Sequence, residues 1–298
     1  GMFAVLVNDE NCINLEHLSE YLNFLKSYEG CGVLIASGSY KDMKNIYSAG
    51  ISAIDMSSNI NDLNGMAFNM GLYADKKIND TMYRIQKNAF AKEYVHICIA
   101  MLLAKTSDLA ISDLDIIVNF TREYHSDQNI QEENKILSYM YPESRIAQQN
   151  SFLDFCDEYL EFDKNQFIMM FLKRCDNTCF LIKIAYDMIE GFKKVGEKQE
   201  VYEQIYREQV KYLNMFPREL SSEECKIIKE RLKKIVFSAL QQGSGWLVSL
   251  HTNDLKRQIY KEINNIENIE KLKQLLASYE KEYPKDLDLY TIKAWYWS

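Results

Sequence analysis

Apolar residues follow two different rhythms along this chain. Near the amino end, short apolar runs alternate with polar turns: Phe3-Ala4-Val5-Leu6-Val7 stops at Asn8-Asp9, and similar runs occupy 33–36 and 51–56. Runs of this length, rich in β-formers and bounded by turn residues, predict strands. Between the first two lies INLEHLSEYLNFLKSYEG, where Leu15, Leu18, Leu22 and Leu25 recur at helical spacing and Gly30 and Gly32 close the segment. A second helix is expected over 41–48, stopped by Gly50. Strand, helix, strand, helix, strand is the order of a parallel sheet with right-handed crossovers.

After about residue 60 the strand rhythm fades and helical spacing takes over. Helices are expected over 66–73 and 80–103, the latter anchored by Met82, Ile85, Phe90 and Tyr94. Further ones follow over 113–124, 131–141, 151–162, 166–175, 178–194, 198–214, 222–241, 254–263, 269–282 and 286–297. Ser221-Ser222-Glu223-Glu224 supplies a serine cap with acidic residues in the first turn. Connections are short, which favours antiparallel neighbours. The three prolines, Pro142, Pro217 and Pro284, fall where helical patterns break. The expected fold class is therefore a small α/β unit with a parallel sheet over 1–60, followed by a helical-hairpin region over 61–298, mostly α overall.

Composition narrows the function classes. With 47% apolar and 26% charged residues the chain has the makings of a sizeable core. Its apolar stretch 94–103 is too short to cross a bilayer. A net charge of −8 without a basic block argues against a nucleic-acid partner; Lys226 to Lys234 (KIIKERLKK) reads as a solvated helix face. Seven scattered cysteines and no basic leader segment predict a reducing, cytoplasmic location. Gly1 ahead of Met2 reads as a cloning remnant. Cys175 and Cys179, four apart, share a helix face, but no neighbouring ligand pair completes a metal site, so no metal and no cofactor are assigned. His96 sits in an apolar stretch and is read as a hydrogen-bonded core histidine, while His17 and His125 lie among polar residues.

The stretch VLIASGSYKDMKNIYSAGISAIDM, with the strand, loop and helix before it, resembles the later βαβ half of the small Rossmann-like domains of bacterial surface-polysaccharide proteins, including glycosyltransferases. The resemblance covers about residues 3–57. A glycine-rich phosphate loop, which lets backbone N–H groups close on a pyrophosphate, has no counterpart here. The last 30 or so residues, with EYPKDLDLYTIKAWY between two amphipathic stretches, look like one tetratricopeptide-type hairpin. Together these resemblances imply an accessory or scaffold module, non-catalytic, in surface-glycan biosynthesis, contacting a protein partner or an adjoining domain. The alternative is a nucleotide- or nucleotide-sugar-binding enzyme using Ser37, Gly38, Ser39 and Asp55 near the carboxyl ends of parallel strands.

Three sharper resemblances bear on that alternative. SDLDIIV (112–118) is similar to the metal-holding strand of nucleotidyltransferases, which would make Asp113 and Asp115 magnesium ligands, although LAKTSDLA lacks the Gly-Ser that family places upstream. NGMAFNMG (64–71) looks like the helix of nucleoside deoxyribosyltransferases, with Asn69 where a nucleophilic glutamate belongs. Asp9, Glu10 and Asp55 fit a degenerate receiver domain, with Asp55 as phosphoacceptor at a strand end, but the required lysine is not found.

Overall fold

A computed structural model describes residues 2–7, 11–37, 46–60, 65–119, 141–188, 198–241, 259 and 269–282. The chain is mostly helical, with a small mixed sheet at the amino end and helices after it. It divides into two compact units, one built on residues 1–129 and the other on 130–293. They are taken separately below.

The first unit is organised by a five-stranded sheet. Its strands are β1 (Phe3–Val5), β3 (Val33–Ala36), β4 (Ile46–Tyr47), β5 (Met66–Asn69) and β6 (Leu109–Ser112), in the order β1-β5-β3-β6-β4. Only the β3–β6 pair is parallel among the described strands; Val33 stands opposite Leu109 and Ala36 opposite Ser112. The other three pairings are antiparallel. A separate ribbon pairs β2 (Asn11–Ile13) with β7 (Ile117–Asn119).

Every residue of β3 and β5 is buried, because helices lie over both faces. Alternate side chains of a strand point to opposite faces. On one face Leu34, Ala36, Ala67 and Ala110 join Tyr21, Phe24 and Leu25 of α1 (Leu18–Ser27) in one cluster. On the other pack α2 (Ile51–Ser58) and α6 (Val95–Ala104), which also pack on each other. Small residues on the α1 side let the helix approach closely, and its aromatic rings fill the space.

Several sequence expectations are corrected here. The sheet is mixed, and two of its five strands, β5 and β6, lie beyond residue 60. Residues 51–56, expected as a strand, belong to α2, all eight residues of which are buried. A short run buried on every side has no alternation of wet and dry positions to separate helix from strand. Gly50 opens α2 with φ of 96°, a left-handed conformation that costs a glycine little. Residues 66–73, expected as one helix, are β5 followed by α3 (Met70–Asp75). The expected helix over 80–103 is broken into α4 (Ile78–Arg84), a 3-10 turn, α5 (Ala89–Glu93) and α6. Asn88 forces one break, since its side chain accepts from the Ala91 N–H and so starts α5 afresh. The helix expected over 113–124 is absent where described: 113–116 is irregular and β7 follows. The leucine repeat of this region is divided by the fold, as Leu25 faces the core with Tyr21 and Phe24 while Leu15 and Leu22 are exposed.

The second unit is helical throughout its described length. Its helices are α7 (Pro142–Tyr159), α8 (Lys164–Met188), α9 (Lys198–Asn214), α10 (Ser222–Gln241) and α11 (Ile269–Glu282). Pro142 occupies the first turn of α7, where its missing N–H costs nothing. The expected helices over 166–175 and 178–194 merge into α8, which runs straight through Asp176-Asn177. Residue pairings set the directions. Phe167 meets Phe216 and Phe171 meets Tyr212, so α8 and α9 are antiparallel. Gln149 meets Gln209 and Glu143 meets Gln204, so α7 and α9 are parallel. Lys164 pairs with Glu224 while Arg231 acts on Asp176, which makes α8 and α10 parallel. Arg218 pins the α9–α10 connection to the end of α7: its guanidinium pairs with Asp157 at 2.6 Å and donates to the Phe162 carbonyl. The helices expected over 41–48 and 131–141, and the second helix of the carboxyl-terminal hairpin, lie outside the described residues apart from Ile46, Tyr47, Ser48 and Tyr141.

Candidate functional site

In open α/β sheets the carboxyl ends of parallel strands are where ligands gather, and the β3–β6 pair has one such end. There the Ser37 N–H donates to the Ser112 carbonyl at 3.0 Å. The Ser112 hydroxyl accepts from the Leu114 N–H at 3.2 Å and turns the chain out of the sheet. Asp113 and Asp115 are both exposed on this turn. Neither stands on a strand, so the paired-aspartate strand of the nucleotidyltransferase resemblance is not what these residues build.

Gly65 lines the same end. Its N–H donates to the Leu6 carbonyl and its carbonyl accepts from the Ala36 N–H. Its φ is 75°, and a Cβ there would run into the Ala36 backbone oxygen, so a glycine is required twice over. The Ile116 side chain closes over it, and the Ile116 carbonyl accepts from the Asn14 N–H at 2.7 Å, which ties in the β2–β7 ribbon.

Of the four candidate ligand residues, Ser37 stands at this carboxyl end, and Gly38 and Ser39 lie outside the described residues. Asp55 is on α2 instead of a strand end. That helix starts from Gly50, whose N–H donates to the Ala104 carbonyl, at the amino end of the pair, where Tyr47 stands opposite Leu109. Asp55 is fully buried. Burial pushes the neighbouring Tyr47 hydroxyl up to about 12, and the Asp55 charge adds to the effect. A buried aspartate on a helix is not the exposed phosphoacceptor of a receiver domain.

Asn69, at the nucleophile position of the deoxyribosyltransferase resemblance, has a structural task. Its side-chain oxygen accepts from the N–H groups of Gly71 and Leu72 and caps α3. Its side-chain nitrogen donates to the carbonyls of Glu29 and Cys31. With both ends engaged, this amide holds the α1–β3 turn against β5.

Cys175 and Cys179 do share one face of α8, both fully buried. Their mutual hydrogen bond, with burial, holds the Cys175 thiol well above its ordinary range, which suits a packed thiol and not a nucleophile. Among the described residues no group of three His, Cys, Asp or Glu side chains is placed to hold a metal ion.

Two features escaped the sequence reading. A groove of about 370 Å³ lies over the α4–α6 segment, lined by Asn79, Met82, Tyr83, Gln86, Lys92 and Val95; the break of that segment into short helices creates it. The other is a leucine stripe at the start of α1: Leu15, on the 3-10 turn Leu15–His17 that leads into the helix, is 77% and Leu22 55% exposed, with Leu18 half-buried between them. Three members of the leucine repeat mark this stripe, whereas the fourth, Leu25, is buried.

Set against protein-family models, curated proteins and solved structures, the chain finds no match.

Proposed function

We propose that this protein is an accessory module of bacterial surface-glycan synthesis that acts by binding a protein partner and performs no chemistry of its own. The observation that carries the contact role is the leucine face of α1. Tyr21, Phe24 and Leu25 of this helix already fill the core, while Leu22 and, on the 3-10 turn just before the helix, Leu15 stay exposed beside them. Exposed apolar side chains aligned on one element mark contact surfaces more than scattered ones do. The tie to glycan synthesis rests on the resemblance of residues 3–57. The helical unit extends the scaffold, and the tetratricopeptide likeness of the last residues fits the same role.

A second reading is a nucleotide-sugar-binding enzyme, favoured by the Ser37 N–H–Ser112 turn with Asp113 and Asp115 at the carboxyl end of the parallel β3–β6 pair. Thermal unfolding with a panel of nucleotides and nucleotide-sugars, with and without magnesium, separates the two. A ligand that binds only the native state raises the melting temperature. The module reading expects no shift across the panel. A saturable, magnesium-dependent rise that Asp113→Asn with Asp115→Asn removes would overturn it in favour of the enzyme.

A further inference from the structure

We infer that the partner of the α1 leucine face is a second copy of the same chain, the two α1 helices packing antiparallel. The inference rests on the module reading and deepens it. Leu15 stands on the 3-10 turn Leu15–His17 and lines up with Leu18 at the start of α1, and Leu22 follows one α-turn later, so the three form one stripe over two turns. Lys26, four residues after Leu22, continues that stripe toward the helix carboxyl end and is exposed. Glu16, beside Leu15 at the amino end, is exposed too. Among the described residues neither Glu16 nor Lys26 makes an ion pair. The other acid of this helix, Glu20, is engaged by the His17 ring at 3.1 Å.

An apolar stripe with an acid at one end and a base at the other is complementary to itself when turned around. In an antiparallel pair Glu16 of each copy approaches Lys26 of the other, twice, while the leucines interdigitate. A parallel pair would set Glu16 against Glu16 and Lys26 against Lys26. The antiparallel arrangement is also isologous and closes at two copies, so it does not propagate into filaments. Two turns of helix bury less than the ~1,200 Å² of stable interfaces, so the pairing is expected to be weak, in the micromolar range.

Sedimentation velocity of the full chain over a concentration series tests this. The wild type is expected to shift reversibly from monomer to dimer. Leu15→Ser with Leu22→Ser should leave a monomer throughout; both side chains are exposed, so the circular dichroism spectrum should not change. Charge reversal then tests the direction. Glu16→Lys or Lys26→Glu alone should weaken the dimer about tenfold, and the two together should restore it. A wild type that stays monomeric at every concentration overturns the pairing, and the stripe then belongs to a different protein. A dimer indifferent to the leucine changes overturns it as well, as does a dimer in which the charge changes fail to compensate. A flat nucleotide panel beside a monomer defeats this inference alone, whereas a ligand-induced shift defeats the module reading beneath it.

Discussion

Asp176 shows one side chain working against the fold that holds it. It lies on α8 with one carboxylate oxygen buried and without a hydrogen-bond partner among the described residues. Burial pushes its carboxyl up to about 7, and the attraction of Arg231 and Lys173 offsets only part of that. An unfolded aspartate titrates near 3.9. Between about pH 4 and pH 7 the folded chain therefore holds a proton that the unfolded chain has lost, and stability falls as pH rises through that window. Asp154, raised by burial and by Asp157 and Glu158, leans the same way. Glu224 leans the other way but lower: Lys164 and the Ser221 cap hold it down at about 2, so its contribution is lost only below about pH 4.5. The Asp176→Asn variant keeps the shape and removes the charge. Urea unfolding should find it at least as stable as the wild type at pH 7.5, with a flatter loss between pH 4.5 and 7.5. Parallel profiles for the two proteins would refute the assignment.

At the level of helices and strands, what the sequence revealed depended on how many sides of an element are covered. The helices α9, α10 and α11 each have one buried and one wet side, and periodicity alone places them within a residue or two. Segments covered all round defeated it: α2 has no exposed side, its serines and Asp55 being buried too, and β5 reads as helix because its alternation is lost when both faces are buried. Contacts between distant segments were invisible. Gln149 on α7 and Gln209 on α9 are buried and exchange two hydrogen bonds, 2.7 and 3.0 Å long, between their side-chain amides. Nothing local in either helix predicts a partner sixty residues away. The reciprocal pair fixes how the two parallel helices slide against each other. Gln149→Leu alone leaves the Gln209 amide unpaired and should cost about 1–3 kcal/mol. Gln149→Leu with Gln209→Leu removes both polar groups and should recover much of that loss. Chemical denaturation measures both, and a double variant as weak as the sum of the singles would show that the two glutamines do not act as a pair.

Over the whole molecule the amount of long-range pairing separates the two units. The sheet and its neighbouring ribbon are assembled from distant segments: Phe3 pairs with Asn69 and Val33 with Leu109 in the sheet, and Asn11 with Asn119 in the ribbon. The sequence identified β1 and β3 because each is a clear apolar run, yet it could not supply the order β1-β5-β3-β6-β4, which exists only through these pairings. The same dependence made the candidate site partly legible: Ser37 was picked out, but the Ser112 turn and Gly65 reach it only through the sheet. In the helical unit α7 to α10 each pack on helices one or two places away along the chain, so their core is built from near neighbours. Closing long loops before any contact rewards them slows folding, whereas local helix packing proceeds quickly. The two units should therefore refold at different rates. After dilution from denaturant, far-ultraviolet circular dichroism of the full chain should recover most of its helical signal in a fast phase, with a slower phase as the sheet forms. A fragment spanning 130–298 should reproduce the fast phase and melt cooperatively on its own. If that fragment fails to fold, or if Gly65→Ala, which obstructs the sheet at Ala36, slows both phases equally, then the two units fold as one.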